Sequence, residues 1–369
     1  MSTTAWQLPA SHLDRLVDVL RRDADEVIGP RVVDGVIRMR PVECADDLPV
    51  DVTDEQAGGR YRVVHGTGAS QLRFSYAVGP DSLKAVVQPP RAPVLTMQRS
   101  ADGAVAVNVQ QRHVRRRAVI GVRSCDLVAL ARLDRTQLDG PYPDTHYAAA
   151  RAGLFLVAVE CTHPAATCFC DSVGTGPAVE GGADLVLTEI DDGSVWYLVR
   201  AFTGAGRGVV DELGLDEVSP VMREHIGDPN RPRRSLRPDA AAVVVADLAH
   251  RRWDDVADRC LTCGNCTAVC PTCFCTAIDD RVDLDGTAHR DRVWDTCFSG
   301  EYSHVGPGPV RSSPMSRYRQ WLTHKLGTWH DQFGESGCVG CGRCITWCPV
   351  GIDLTVEADA LAEPSGGAG

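Results

Sequence analysis

The stretch Cys260-Leu-Thr-Cys-Gly-Asn-Cys-Thr-Ala-Val-Cys-Pro271 decides how the C-terminal part of this chain folds. Its cysteines and proline have the spacing C-x2-C-x2-C-x3-C-P, and the same spacing returns from Cys338 to Pro349. The offset between the two runs is 78 residues, both from Cys260 to Cys338 and from Cys270 to Cys348. The doubled spacing therefore predicts an internal repeat with approximate two-fold symmetry.

This spacing is the bacterial signature of 4Fe–4S clusters. Cysteines at two-residue intervals wrap a tight loop around three corners of a cube, and a glycine inside each loop permits the turn. The fourth cysteine, before the proline, commonly ligates the other cluster. Zinc also binds C-x2-C pairs, but the longer spacing, present twice, favours iron. We predict two 4Fe–4S clusters with crossed ligands: Cys260, Cys263, Cys266 and Cys348 for one, and Cys338, Cys341, Cys344 and Cys270 for the other.

A second group of cysteines lies in the N-terminal half. Residues 118–122 and 154–159 are compact apolar runs typical of buried strands, and residues 127–133 between them are typical of a helix. This order predicts a parallel βαβ unit, which places Cys125 and Cys161 just past the carboxyl ends of neighbouring strands. Cys168 and Cys170 follow on the next loop, within reach of the same rim. We predict that these four thiols hold a third 4Fe–4S cluster, with His163 as a conceivable substitute ligand and buried core cysteines as the competing interpretation.

Four cysteines remain outside these assignments: Cys44, Cys273, Cys275 and Cys297. The last three lie close to the first run, where they either pack against a cluster or bind a group of their own. Packing is the favoured interpretation, and a structural role is expected for Cys44. The chain contains no nucleophile elbow, P-loop or G-x-G-x-x-G motif.

Composition and charge narrow the class of protein. A length of 369 residues suggests two domains or three, and 44% apolar residues are enough for a real core. The formal charge of −11 disfavours a nucleic-acid partner. No apolar stretch approaches the ~20 residues of a membrane span, and clustered cysteines in a long chain indicate metal rather than disulfides. We expect a cytoplasmic protein.

The predicted architecture has two domains and a tail. Residues 1–238 are expected to form an α/β or α+β domain with the possible third cluster site. Residues 239–362 are expected to form a mainly α-helical, ferredoxin-like domain with two 4Fe–4S clusters. The boundary is placed in the proline-rich segment 227–238, and residues 363–369 are expected to be a disordered tail.

Longer motifs resemble those of one protein family. They are GVRSCD at 121–126, TCFCDSVGTGP at 167–177, CPTCFC at 270–275, WDTCF at 294–298 and GCVGCGRC at 337–344. Together they resemble the iron–sulfur beta subunit of cytoplasmic NADP-linked NiFe hydrogenases, the sulfhydrogenases, which is related to the A subunit of anaerobic sulfite reductase. The resemblance extends from about residue 60 to residue 353. One departure is Ser124, which stands where the family pattern leads us to expect proline.

The resemblance implies an electron-transfer subunit that is not catalytic by itself but belongs to an oxidoreductase. Its implied partners are a flavin subunit that binds NAD(P), a NiFe catalytic subunit and a small iron–sulfur subunit. The equivalent subunit of an anaerobic sulfite reductase is the alternative. A stand-alone redox enzyme that acts at the Cys125/Cys161 rim is an alternative of another class.

Overall fold

The computed structural model describes residues 4–110, 114–218 and 233–364. The strands are β1 (Ala5–Pro9), β2 (Glu26–Val33), β3 (Val36–Pro41), β4 (Val52–Ala57), β5 (Arg60–His65), β6 (Arg91–Arg99), β7 (Val105–Val109), β8 (Arg117–Val122), β9 (Leu154–Val159), β10 (Leu185–Asp191), β11 (Val195–Ala201), β12 (Asp216–Val218), β13 (Thr276–Val282), β14 (Ala288–Trp294), β15 (His304–Val305) and β16 (Gly308–Pro309). The helices are α1 (Leu13–Asp23), α2 (Leu83–Val87), α3 (Ser124–Gln137), α4 (Thr145–Ala152), α5 (Gly204–Leu213), α6 (Ala240–Ala246), α7 (Arg252–Ala257), α8 (Asn265–Ala268), α9 (Pro314–Leu322), α10 (Trp329–Phe333), α11 (Arg343–Thr346) and α12 (Leu354–Ala362). A π-helical turn, Thr323–Thr328, joins α9 to α10.

A mixed eight-stranded sheet forms the centre of the N-terminal half, in the order β12-β1-β11-β10-β9-β8-β2-β3. Strands β2, β8, β9 and β10 run parallel to their neighbours in this series, whereas the outer pairs are antiparallel. Alternate side chains of β8 and β9 point to two different cores, one with α1 and α5 and the other with α3 and α4. Helices therefore cover both faces, as a parallel sheet of apolar strands requires.

The predicted βαβ unit is confirmed. Strands β8 and β9 pair in parallel, and α3 and α4 connect them. The register shifts between Ile120 and Val122, where Gly121 has a φ of 82°. This left-handed conformation is accessible to glycine, and it bends the chain as it leaves the sheet toward Arg123.

A second sheet joins the two halves of the chain. Its strand order is β13-β14-β6-β7, and β14 pairs with β6 across the sequence. The β13–β14 hairpin was not predicted, because its charged residues Asp279, Asp280 and Arg281 resemble a loop. Residues 239–362, which we call the dicluster region, thus contain strands as well as the expected helices. The division at residue 238 stays a prediction, and residues 227–232 of the predicted linker and 365–369 of the predicted tail lie outside the described residues.

An aromatic core holds the C-terminal part together. Trp253, Phe298, Tyr318 and Trp321 are buried against apolar residues of α6, α7, the π-helical turn and α12. Cysteines of both runs pack against the edge of this core. The two runs also repeat locally, since α8 and α11 each follow a glycine in the left-handed region, Gly264 and Gly342, both with a φ of 74°.

Candidate metal centres

The first thiol group, site 1, consists of Cys260, Cys263, Cys266 and Cys348. All four line one cavity, together with apolar side chains that include Phe298 and Trp321. Cys348 comes from the second run, so the two runs meet here as the crossed spacing predicts. Cys263 is exposed, and the neighbouring Leu261 is 62% exposed. Site 1 therefore lies close to the protein surface.

The second group, site 2, consists of Cys270, Cys338, Cys341 and Cys344. The thiols of Cys338, Cys341 and Cys344 lie close enough to Cys270 to interact with it electrostatically. Cys344 also lines the cavity of site 1. Sites 1 and 2 are therefore adjacent. The short helix α8 of the first cysteine run also contacts α11 of the second run.

The third group, site 3, consists of Cys125, Cys161, Cys168 and Cys170. The four line one cavity, which confirms the predicted convergence at the strand ends. Cys341 of site 2 lines the same cavity. His163 is not among its lining residues, and it lies 3.4 Å from the Thr162 hydroxyl. Sites 2 and 3 are thus neighbours, although one belongs to the dicluster region and the other to the large sheet.

A buried arginine fixes the rim of site 3. Arg123 follows β8, and its guanidinium donates to the carbonyl oxygens of Phe74 and Tyr76 at 2.7 and 2.9 Å. It also donates to Glu160 O at 2.7 Å, directly before Cys161. A single charged side chain therefore links the ends of β8 and β9. Such hydrogen bonds from a charged donor are stronger than neutral ones.

Ser124, the departure from the family pattern, has a defined role in the structure. It is the first residue of α3, where proline is also well tolerated. Its hydroxyl donates to Thr175 O at 2.9 Å. The hydrogen bond ties Cys125 to the loop that follows Cys170, so the serine supports the turn beside the thiol.

Two backbone segments approach each other closely between sites 2 and 3. Phe169 N donates to Gly340 O at 2.8 Å. A Cβ at Gly340 would lie 2.6 Å from Phe169 O and Cys170 N, and one at Gly342 would lie 2.6 Å from Thr167 O. Glycine is required at both positions, because a side chain would overlap backbone atoms that have no room to move.

A buried ion pair crosses the same boundary. Arg343, between two cysteines of the second run, donates to the Asp126 carboxylate at 2.9 Å. It also donates to Gly79 O and Asp81 O, at 2.8 and 2.9 Å. This pair could not be predicted from the sequence, because its partners are more than 200 residues apart. A charge this deeply buried needs its partner, and loss of one member of such a pair typically costs about 3–5 kcal/mol.

Burial affects the acidity of most site thiols. It raises the pKa of Cys125, Cys168, Cys266 and Cys344 well above the usual range, and the pKa values of Cys338 and Cys170 to about 11 and about 12. Cys270 differs, because a hydrogen bond from the Cys273 thiol and the Lys325 ammonium hold its pKa well below the usual value. Free thiols with raised pKa values are poor nucleophiles, and bound metal is what removes their protons.

The surroundings of site 1 fit an iron–sulfur cluster. Within the described ranges, no group of three or more His, Cys, Asp or Glu side chains is placed to hold a single metal ion. Tyr318 and Trp321 line the cavity, and the Tyr318 hydroxyl and the Trp321 indole N–H are buried without a hydrogen-bond partner in the part of the chain that the structure describes. Such donors need an acceptor, and the sulfurs of a cluster accept hydrogen bonds. Four thiols, an apolar wall and unpaired donors match the chemistry of a 4Fe–4S cluster.

The comparisons with known proteins agree with this chemistry. A 4Fe–4S dicluster domain family matches residues 259–352, and a second family of the same description matches residues 219–274. The matched region carries two 4Fe–4S clusters by its description. Sulfhydrogenase 2 subunit beta of Pyrococcus furiosus is 32% identical over 255 residues, which is 66% of this chain and 74% of that protein. The chain belongs to the sulfhydrogenase beta-subunit family. The resemblance seen in the motifs is thereby confirmed. No helix in the described parts of this beta-type subunit is long and apolar enough to cross a membrane.

The close approach at Gly340 gives a test of the contact between sites 2 and 3. Gly340→Ala is expected to lower the free energy of unfolding by at least about 2 kcal/mol more than Gly103→Ala. Both glycines have positive φ values, 63° and 87°, but nothing lies within 4 Å of a Cβ at Gly103. Both substitutions place alanine in a left-handed conformation. The difference between their free energies of unfolding, measured in urea, therefore reports the overlap with residues 167–170. Equal losses would contradict the close packing.

Proposed function

We propose that this chain is the electron-transfer subunit of a NiFe hydrogenase complex and relays electrons between the hydrogenase module and a flavin module that binds NAD(P). The observation that carries the proposal is the row of adjacent thiol groups in a member of the sulfhydrogenase beta-subunit family. Clusters of the 4Fe–4S type exchange single electrons. The cytoplasm is the compartment that we expect, because thiols stay reduced there.

The order of the sites supports a relay. Cys344 belongs to site 2 and lines site 1, and Cys341 belongs to site 2 and lines site 3. Site 2 therefore lies between the other two, and site 1 opens toward the surface at Cys263 and Leu261. We assign the surface beside site 1 as the point where a partner exchanges electrons. Exposed Val350, which also lines site 1, adds apolar contact area there.

The raised pKa values weigh against a stand-alone enzyme at the Cys125/Cys161 rim. Burial keeps the Cys125 and Cys168 thiols protonated, and a catalytic cysteine needs a thiolate. Arg123, the charged group between these strands, donates to backbone carbonyls and fixes structure. The rim is therefore better suited to hold a metal cluster than to attack a substrate.

The complex itself tests the proposed function. We expect the tagged chain, isolated without oxygen from its native host, to co-purify with nickel and flavin and to support H2-dependent reduction of NAD(P). A complex without nickel that instead oxidises a reduced donor with sulfite would favour the sulfite reductase alternative. Turnover of a specific substrate by the purified chain alone would contradict the carrier role.

The third cluster has a separate test. We propose that Cys125, Cys161, Cys168 and Cys170 hold a 4Fe–4S cluster, so Cys125→Ser is expected to lower the iron content by about four atoms per chain. The control is Cys44→Ser, which changes an exposed cysteine outside all the sites and should leave iron unchanged. Iron analysis and EPR of the reduced protein are the measurements. An unchanged iron content and spectrum in Cys125→Ser would remove the third cluster.

Crossed ligation predicts which variants share a phenotype. Cys348→Ser and Cys263→Ser should remove the same EPR signal, because both thiols line site 1 although they come from different runs. Cys270→Ser should instead match Cys338→Ser. If Cys348→Ser matched Cys338→Ser, each run would bind its own cluster and the crossed assignment would be wrong.

A further inference from the structure

Three cysteines outside sites 1 to 3 share a cavity of their own. Cys273, Cys275 and Cys297 line it together, and no other cysteine of the described ranges does so. Asp295 N donates to Cys275 O at 2.9 Å, which brings the segment after β14 beside the segment after Cys270. The chain therefore gathers these thiols from two separate segments, as it does at site 3.

We propose that Cys273, Cys275 and Cys297 hold a fourth 4Fe–4S cluster, with three thiolate ligands and one iron without a cysteine ligand. We call this group site 4. It is independent of the proposed function, because it follows from the cavity and its surroundings and not from the partners of the chain.

The sequence around site 4 repeats that of site 3. The tetrapeptide Thr-Cys-Phe-Cys occurs at 167–170 and again at 272–275. Both threonines are buried, and each hydroxyl bonds to the second cysteine run or its edge: Thr167 Oγ1 lies 2.8 Å from Thr346 Oγ1, and Thr272 Oγ1 donates to Gly337 O at 2.7 Å. The two loops are thus anchored to the same part of the dicluster region.

At both sites, a cysteine from outside the Thr-Cys-Phe-Cys loop completes the group, and it has the same position relative to a strand. Cys125 lies three residues after the end of β8, and Cys297 lies three residues after the end of β14. Site 3 adds Cys161 after β9 as its fourth thiol, whereas site 4 has no equivalent among its lining residues. The difference is why we assign three thiolates to site 4.

An unpaired donor lines the cavity of site 4. The indole N–H of Trp329 is buried and has no hydrogen-bond partner among the described residues. The indole of Trp321 borders site 1 as well, so its one N–H is not counted for site 4. Buried donors are rarely left without an acceptor, and the sulfurs of a cluster supply one. Ordinary packing of the three cysteines would leave the Trp329 indole unsatisfied, since neutral thiols are weak acceptors.

Two buried cations lie close to site 4. Lys325 is 4% exposed, lies on the π-helical turn, and donates to Thr272 Oγ1 at 2.9 Å. Lys84 is 3% exposed and donates to Thr267 O and Ala268 O, both at 3.1 Å. Lys325 also lines the cavity of site 4. Buried ammonium groups require negative charge nearby, and metal-bound thiolates provide it.

Iron analysis of matched variants tests site 4. Cys297→Ser, isolated without oxygen, is expected to contain about four fewer iron atoms per chain than the wild type, with Cys44→Ser as the unchanged control. The double variant Cys125→Ser/Cys297→Ser is expected to lose about eight, because the two sites bind separate clusters. Zinc is measured in the same samples.

Each other outcome would overturn the proposal. An unchanged iron content in Cys297→Ser would leave the three cysteines as packing residues, and loss of zinc in place of iron would make site 4 a zinc site. A double variant that loses no more iron than Cys125→Ser alone would place Cys297 in the cluster of site 3. If Cys297→Ser fails to fold, the iron content of the wild type is compared with that of Cys125→Ser. When Cys125→Ser loses about four irons, a wild-type content of about sixteen irons supports site 4 and a wild-type content of about twelve overturns it.

Discussion

The close approach between the second cysteine loop and the segment 167–170 is the contact on which the arrangement of the sites depends. It requires glycine at 340 and 342, and it brings Cys341 into the wall of the site 3 cavity. The buried pair of Arg343 with Asp126 crosses the same boundary. Together these contacts join the large sheet to the dicluster region, so the two parts do not behave as independent bodies. A ferredoxin-like unit that was merely tethered would not hold sites 2 and 3 side by side.

The second constraint is electrostatic. Thiolates are unfavourable in an apolar interior, as the raised pKa values of buried Cys125 and Cys168 show. The chain counters this with fixed cations, Arg343 between sites 2 and 3 and Lys325 beside Cys270. A positive charge close to a cluster favours its reduced, more negative state. With clusters bound as proposed, the same buried cations would also shift their reduction potentials.

Local patterns explain why parts of this structure could be predicted from the sequence. The spacing of each cysteine run fixes a tight loop, and the apolar runs around Cys125 fix a βαβ unit whose geometry places Cys161 nearby. The β13–β14 hairpin could not be predicted, because its charged residues resemble a loop and β14 pairs with β6, which is far away in the sequence. Arg343 and Lys325 were missed for a related reason. Their partners are distant in sequence, and burial alone distinguishes them from surface cations.

The unpredicted hairpin has a consequence for the metal sites. Strand β14 pairs with β6 from the N-terminal half, and this pairing delivers Cys297 to the loop with Cys273 and Cys275. Strand β8 delivers Cys125 to its own Thr-Cys-Phe-Cys loop in the same way. The chain thus uses one local arrangement twice, a cysteine after a strand end opposite a C-x-C loop, and both loops are anchored to the second cysteine run. Site 2 is consequently in contact with site 3 through Cys341, and it adjoins site 4 because Cys270 and Cys273 lie in one short segment, residues 270–275. With the proposed clusters in sites 3 and 4, electrons that reach site 2 from site 1 would meet a branch point.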